Sequence, residues 1–508
     1  MARTASTHQS SPLPSPVRPR AHSLPARWVR PDWPAHQLPD RHSQHVPPVN
    51  LKTLRELELS EFYRNPKLRH DVVFDSQLHF RPNNDGTRGM KKKVDSHGYW
   101  QLVLVEFEVL LNASKKKDSS AHSHEGPMKI PILLVTMRDI LLTLVPRADR
   151  EEVESSLDPD LLMQQLEHGI LDLKRMSLWL ARIFKAHCAP MRDQWVDLMV
   201  SQFARGVDKG DNRALMEGWK SIFGILEAMK LDVANHQIRT LRPHLISTVV
   251  VFEQSYFQSR IDQGRLDTQE ARQWYHDYLL KYKKLGGAND HVDCFMQATL
   301  DLVTPSKDST FPSTFVFDYE RLECLRDDIR EATCLRLCTL LFRQLALGVK
   351  RDIEDKDICK LVETISAVLG EEGGSEKYVQ RSADVALSIA HIACGNTLPS
   401  ASVIKVAENW LAKHLLIDST IYKATELRII KEIVGAMQQT VKSWCSPASF
   451  PISQVAEMTG NSVNVKSVAQ RLANIAYLHW QVFGRLVYMP DPLLEQKWGS
   501  TLPLAIRR

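Results

Sequence analysis

Three groups of residues have types and spacing that bear on chemistry. His122 and His124 stand two apart in a Ser/Lys-rich stretch. Two imidazoles can begin a metal site, but no carboxylate or cysteine set completes it at ligand spacing. Cys334 and Cys338 are four apart on an expected helix, so they share a face. Their neighbours Leu335, Leu337, Leu340 and Leu341 are apolar, and the pair reads as small core residues. Asp232, His236 and Arg239 follow i, i+4, i+7 on one helix face, with Ile238, Leu241 and Leu245 on the other. Two readings fit that face: a partner-facing or anion-binding surface, or a buried hydrogen-bond cluster that locks one helix onto its neighbours. Pro243 kinks this helix if it continues, freeing a carbonyl near residue 239.

Motifs of known chemistry are missing from the sequence. There is no phosphate-cradling glycine loop, no Gly-x-Ser-x-Gly elbow, no His-Glu-x-x-His and no kinase signature. The expectation is therefore no catalytic residue, no metal and no cofactor. The N-terminal stretch has a different kind of site. Arg20 lies three residues before Ser23, and Pro25 lies two after it. An arginine at that distance suits basophilic kinases, and the phosphorylated form resembles ligands of the 14-3-3 family, which read phosphoserine through an arginine cluster. Ser11-Pro12 and Ser15-Pro16 are further candidate phosphorylation sites.

The elements that position these residues are helices. Leu51, Leu54 and Leu57 open a helical pattern that stops at Asn65-Pro66. Residues 66–93 have little helical period, and Val72, Val73 and Phe74 suit a short extended piece. Residues 99–112 are apolar and read as helix, and 115–126 as a polar loop. Leu133, Met137, Ile140, Leu141 and Leu144 share one face at helical spacing. Asp158 before Pro159 is a helix start. Asp267 with Glu270 suggests a capping box for a helix over 268–284, ended by Gly286-Gly287. Leu322, Leu325 and Ile329 begin a helix running to about 347, Gly373-Gly374 separates two more, and Val403, Ala407, Trp410 and Leu411 mark a later one. No alternating strand series and no fixed repeat appears. The expected fold is all-α, a large irregular multi-helix assembly with a disordered proline-rich N-terminal tail. Its expected divisions are a tail over 1–50, a segment of helices and a basic loop over 51–125, a central helical domain over 126–350 and a C-terminal helical part over 351–508.

Composition supports that class. The chain has 508 residues, 43% hydrophobic and 25% charged, enough to bury a large core. No run of eighteen apolar residues occurs, so no membrane-spanning helix is expected. Eight cysteines without framework spacing, and no apolar leader after Met1, read as reduced intracellular thiols. The expected location is the cytoplasm, with the nucleus as an addition. Net charge is +5, and it is unevenly placed. Residues 1–50 hold six Arg and two Asp, and residues 64–93 hold eight Lys or Arg and three Asp. Within the second stretch Arg81, Arg88, Lys91, Lys92 and Lys93 form a basic segment. It suits anionic lipid or nucleic acid, or serves as a nuclear-import signal, or is simply a solvated loop.

Longer strings point to a family. Ser60-Glu61-Phe62-Tyr63-Arg64-Asn65-Pro66-Lys67-Leu68-Arg69-His70-Asp71-Val72-Val73-Phe74-Asp75, followed by Leu78-His79-Phe80-Arg81-Pro82-Asn83, resembles the opening of the T-complex protein 11 family in its fungal branch. His187-Cys188-Ala189-Pro190-Met191-Arg192-Asp193 and the block from Leu231 through Asn235, His236, Arg239, Arg242 and Pro243 resemble two more of its blocks. The likeness runs clearly from about 51 to 345 and extends to about 490. It implies a mostly helical protein without established catalytic residues. It also implies a link to cAMP signalling, the fungal branch being associated with suppressing loss of cAMP-dependent protein kinase. The expected function is thus a non-enzymatic regulator or adaptor working by protein contact, with kinase A pathway components as partners. The alternative is a helical scaffold docking on anionic surfaces through the basic segment. The motif residues are either partner surface or interhelical network.

Overall fold

The computed structural model describes residues 29–31, 46–82, 86–116, 123–127, 129–286, 290–307, 309–370, 376–395, 397–444 and 464–489. The helices are α1 (Leu59–Arg64), α2 (Pro66–Phe74), α3 (Gly86–Lys116), α4 (Lys129–Leu142), α5 (Arg150–Ser156), α6 (Pro159–Glu167), α7 (Leu173–His187), α8 (Asp193–Lys209), α9 (Asn212–Ser247) and α10 (Val249–Asp262). They continue with α11 (Gln269–Lys284), α12 (His291–Leu302), α13 (Tyr319–Gly348), α14 (Asp355–Leu369), α15 (Lys377–Gln380), α16 (Ser382–Cys394), α17 (Ala401–His414), α18 (Thr420–Trp444) and α19 (Val465–Phe483). One short antiparallel pair, β1 (Val29–Pro31) with β2 (Ser123–Pro127), is the strand content among the described residues. The fold is all-α, as its amphipathic patterns require. No helix of the described residues is long and apolar enough to cross a membrane.

The chain forms two compact units. The first comprises Met1–Phe62 and His79–Arg239, the second Tyr63–Leu78 and Thr240–Arg508. In the first unit Leu133, Met137, Ile140 and Leu141 of α4 are fully buried. They join Leu180 and Phe184 of α7, Phe203 of α8 and Trp219 and Phe223 of α9 in one apolar cluster. Each such side chain contributes about 1.5–3 kcal/mol by leaving water. Two glycines bring α8 and α9 close. A Cβ on Gly218 would lie 2.7 Å from the Phe203 ring, and one on Gly224 would lie 2.6 Å from Trp195. The start of α4 is held by a buried acid: both Glu106 carboxylate oxygens accept N–H bonds, from Lys129 and Ile130, at 2.9 Å each. The helix N-terminus favours a negative group there.

In the second unit α13 runs through two apolar clusters. Its Leu322, Leu325 and Ile329 pack with α12, α18 and α19. Its Leu337, Cys338 and Leu341 pack with α14, α16 and α17. Cys334 and Cys338 are fully buried core residues, and burial pushes the Cys334 thiol up to about 12. A third cluster joins Val73 of α2 to Phe257 of α10 and Val482 and Phe483 of α19.

Several local expectations hold, and others need correction. Asp158 caps α6, accepting from the N–H groups of Asp160 and Leu161, with Pro159 at the first position. The 99–112 helix is real but begins at Gly86. Val72, Val73 and Phe74 are helical, not extended. Asn65-Pro66 is the stop expected, with α1 ending at Arg64, and also the start of α2: the Asn65 side chain accepts from the Leu68 N–H and Pro66 occupies the first turn. The expected capping box at Asp267 and Glu270 does not form. α11 starts from Thr268, which makes no side-chain cap, and Asp267 accepts from the Gln269 N–H instead. The 115–126 loop gives its first residues to α3 and its last to β2. α9 continues through Pro243 to Ser247. Gly287, Gly373, Gly374, His122 and the residues of the 1–50 tail other than 29–31 and 46–50 lie outside the described residues.

Candidate functional site

The first unit carries one candidate site, built on the turn between α7 and α8. α7 ends at His187, and Pro190–Arg192 form a single 3-10 turn. α8 then opens on Asp193, an acid in the first turn where the helix dipole favours it. The turn aims Arg192 at Asp232 on α9. Nε donates to Oδ2 at 3.0 Å and Nη2 to Oδ1 at 2.9 Å, a planar bidentate pair. The bond to Asp232 raises the Arg192 pKa further. Beside this pair lies a pocket of about 290 Å³. His187, Cys188 and Ala189 wall it on one side, and Met229, Asp232, Val233, His236 and Gln237 on the other. The two motif blocks thus meet: the 187–193 turn and the 231–237 stretch of α9 face each other. His187 is 3.0 Å from Asp149. Met191 and Val233 are exposed apolar residues next to the pocket.

Burial pushes the Cys188 thiol up to about 11, with Arg192 pulling the other way. A thiol held in its neutral form is a poor nucleophile. The Arg192–Asp232 charges are spent on each other. Among the described residues no group of three or more His, Cys, Asp or Glu is arranged to hold a metal ion.

Other motif residues of this unit brace the backbone. Asn235 on α9 pairs with Phe80 as a strand neighbour would. Its Oδ1 accepts the Phe80 N–H at 2.6 Å and its Nδ2 donates to the Phe80 carbonyl at 3.1 Å. Phe80 in turn stacks on Phe62, with ring centroids 5.1 Å apart. Arg81 Nε donates to His79 Nε2 at 2.7 Å. Arg239 is exposed, and its Nε donates to the Asn235 carbonyl one turn back. His236 is also exposed. On the face Asp232–His236–Arg239, the first two residues therefore wall the pocket and Arg239 lies on open surface. In the basic segment Lys92 donates to Glu227 at 3.1 Å, Lys91 and Lys93 are exposed, and Arg88 lies in the first turn of α3.

The remaining motif residues gather in the second unit. His70 is buried between two carboxylates: Nδ1 is 2.9 Å from Glu253 Oε1 and Nε2 is 2.9 Å from Asp318 Oδ1. Burial opposes the charged imidazole, but Asp318 and Glu253 outweigh it and hold the pKa at about 9. Burial likewise opposes the Asp318 charge, and His70 and Arg321 hold that carboxyl below its usual range. Arg321 donates to Asp318 at 3.0 Å and to Asp71 at 2.5 Å, and Lys67 reaches Asp71 at 2.7 Å. Arg69 donates to the Thr248 hydroxyl and lies over the Phe252 ring. Arg242 donates to the carbonyls of Val72 and Asp75, closing the C-terminal end of α2. Pro243 is exposed in α9. Ser11, Ser15 and Ser23 lie outside the described residues.

Sequence reasoning missed Glu253, Asp318 and Arg321. Glu253 left a signal. It stands midway between Val249 and Phe257, and these three are the buried residues of α10. An acid in the middle of an i, i+4 apolar stripe requires a buried partner. Asp318 precedes its helix and left no such mark.

A sequence model of the T-complex protein 11 family matches residues 68–491. Protein SOK1 of Saccharomyces cerevisiae is 34% identical over 426 residues, 77% of this chain and 47% of that protein. T-complex protein 11 of Mus musculus is 28% identical over 230 residues, 40% of this chain and 39% of its own length. A human T-complex protein 11 homolog is 35% identical over 133 residues, 26% of this chain and 24% of that protein. The chain spans less than half the length of these curated relatives. No solved structure matches.

Proposed function

The chain belongs to the T-complex protein 11 family, and from that premise we propose that it is a non-enzymatic regulator acting by protein–protein contact in the cAMP–protein kinase A pathway. One observation supports contact over catalysis. The polar motif residues are largely consumed in bonds to one another and to backbone, while the pocket beside Arg192 and Asp232 is flanked by the exposed apolar residues Met191 and Val233. Paired charges that fix helices beside an open apolar patch suit a docking surface. The kinase link rests on the family resemblance. The helical body presents the partner surface, and the N-terminal stretch supplies control through Ser23, phosphorylated for a 14-3-3 protein, with Ser11 and Ser15 as further sites. The protein works in the cytoplasm and enters the nucleus.

The rival reading, docking on anionic lipid or nucleic acid through residues 81–93, has less support. Lys92 is paired with Glu227, leaving one charge fewer for phosphates. Affinity purification with mass spectrometry, comparing wild type with Ser23→Ala and kinase A active with inhibited, tests the proposal. Kinase subunits or 14-3-3 recovered only with Ser23 intact are the expected result. The same partners in all four samples would remove the Ser23 switch and place the contact on the helical body. No signalling partner in any sample would overturn the proposal.

A further inference from the structure

The pocket beside Arg192 and Asp232 borders a stretch of surface with one dominant charge. His187, which walls the pocket, is 3.0 Å from Asp149. From Asp149 through α5 and α6 to Asp172 the chain places eight carboxylates and one arginine, Arg150. None of the eight is buried. The other bases nearby are Arg147 and Arg239, while Arg182 and Arg192 are already paired, so the acids are in excess. The pocket itself is apolar at Ala189, Met229 and Val233. Arg192 takes one acceptor position on each oxygen of Asp232, and a carboxylate offers about four. The Asp232 side chain is 35% exposed against 24% for Arg192, so more of the acid than of the base meets solvent. Such a face suits a segment with arginines and a small apolar side chain.

The chain carries such a segment. Residues 1–28, outside the described residues, hold Arg3, Arg18, Arg20 and Arg27 and no acid. They lead into β1, whose Val29 pairs with Pro127 of β2 in the same unit as the pocket. Pro127 stands just before α4, which is fourteen residues long, or about 21 Å. At the far end of α4, Thr143 meets Lys230, with Oγ1 and Nζ 3.4 Å apart, and Lys230 stands between the pocket residues Met229 and Asp232. Arg20 and Arg18 are nine and eleven residues before Val29, which spans roughly 30–40 Å of extended chain. Both arginines therefore reach the pocket from β1.

We propose that residues 17–20 of this chain dock on the pocket and cover it until Ser23 is phosphorylated. Arg18 and Arg20 meet Asp232 and the carboxylates that begin at Asp149, and Val17 meets Ala189, Met229 and Val233. Exposed ion pairs are individually weak, but a short tether holds the segment at roughly millimolar effective concentration. A phosphoryl group on Ser23, three residues after Arg20, adds a charge of about −1.5 to −2. It repels the carboxylates and competes for Arg20, so the segment leaves. The inference deepens the adaptor reading, on which the phosphorylation of Ser23 rests.

Alkylation of Cys188 in the full chain tests it, because Cys188 walls the pocket. The iodoacetamide rate at Cys188 is read by mass spectrometry, with the exposed Cys324 and Cys359 as internal references. Arg18→Gln combined with Arg20→Gln raises the Cys188 rate on the order of tenfold, the factor two exposed charge pairs supply together. Ser23→Glu moves it the same way, and the reference rates stay put. Removing two cations would by charge alone slow a thiolate reaction, so the acceleration reports uncovering. High salt brings the wild type to the variant's rate, and so does Glu151→Lys with Glu154→Lys on the exposed side of α5. Equal Cys188 rates in wild type and the double arginine variant would overturn the docking. So would a wild-type rate that falls as protein concentration rises, which assigns the cover to a second copy. If Cys188 is uncovered as expected but partner recovery ignores Ser23, the docking stands and the Ser23 switch of the adaptor reading falls. If partner recovery depends on Ser23 while the Cys188 rates are equal, the adaptor reading stands and the docking falls.

Discussion

His70 holds a buried charge between two carboxylates in the second unit. Its folded pKa of about 9 lies above the ordinary 6.5. The protonated ring therefore stabilises the fold fully below about pH 6.5, and that contribution is lost as pH rises through about 9. The shift corresponds to on the order of 3 kcal/mol. Urea midpoints measured from pH 6 to pH 10 are expected to fall for the wild type across that window. His70→Gln cannot titrate, so its midpoints should be flatter, though lower throughout because Glu253 and Asp318 lose their cation. Parallel curves for the two proteins would show that His70 does not carry the charge. Neighbouring His479 behaves oppositely: burial pushes it down to about 3, so it stays neutral, with its Nε2 2.9 Å from the Tyr488 hydroxyl. The motif block containing His70 was legible in the sequence, but its role was not, because Glu253 and Asp318 lie 183 and 248 residues away.

At the scale of elements, α2 shows how a nine-residue helix is held. Its propensity is unremarkable and includes the β-branched pair Val72 and Val73. What fixes it is its ends. Asn65 caps one, and Arg242 satisfies two carbonyls at the other. Asn65→Ala is expected to cost about 1 kcal/mol. Arg242→Met, which leaves two carbonyls without their donor, is expected to cost about 1–3 kcal/mol. These sites are far apart, so the two losses should add in denaturant titrations. A double mutant no less stable than either single one would show that α2 is not held from its ends. The Asn-Pro signal was visible in the sequence but served equally as the end of one helix and the start of the next. Long amphipathic helices such as α4 and α13 were legible because their apolar period repeats over three turns or more. The first turns of α3 were not, because glycine, lysine and arginine give no period. Gly218 and Gly224 gave no hint either, since a glycine in a helical pattern does not reveal which ring presses against it.

On the scale of the whole molecule, the order of the chain and the order of the fold disagree. The chain crosses between the two units after Phe62, after Leu78 and after Arg239. The last crossing falls inside α9, four residues before Pro243, yet the helix continues past both to Ser247. The 63–78 stretch belongs to a unit whose other residues begin at Thr240. Its partners Thr248, Glu253, Asp318 and Arg321 are 179 to 250 residues downstream. Contacts this distant must await loop closure or synthesis of the later chain. Until then Val72 and Val73, buried in the complete fold, have nothing to pack against. The consequence is testable with a fragment ending at Arg239. Such a fragment keeps the apolar cluster of the first unit and lacks every bonding partner of Arg69 and His70. Trypsin should cut it early at Arg69, while the full chain resists there because Arg69 is buried and helical. Equal protection of Arg69 in the fragment and the full chain would mean that α2 holds its place without the downstream helices, and the division of the chain into these two units would then be wrong.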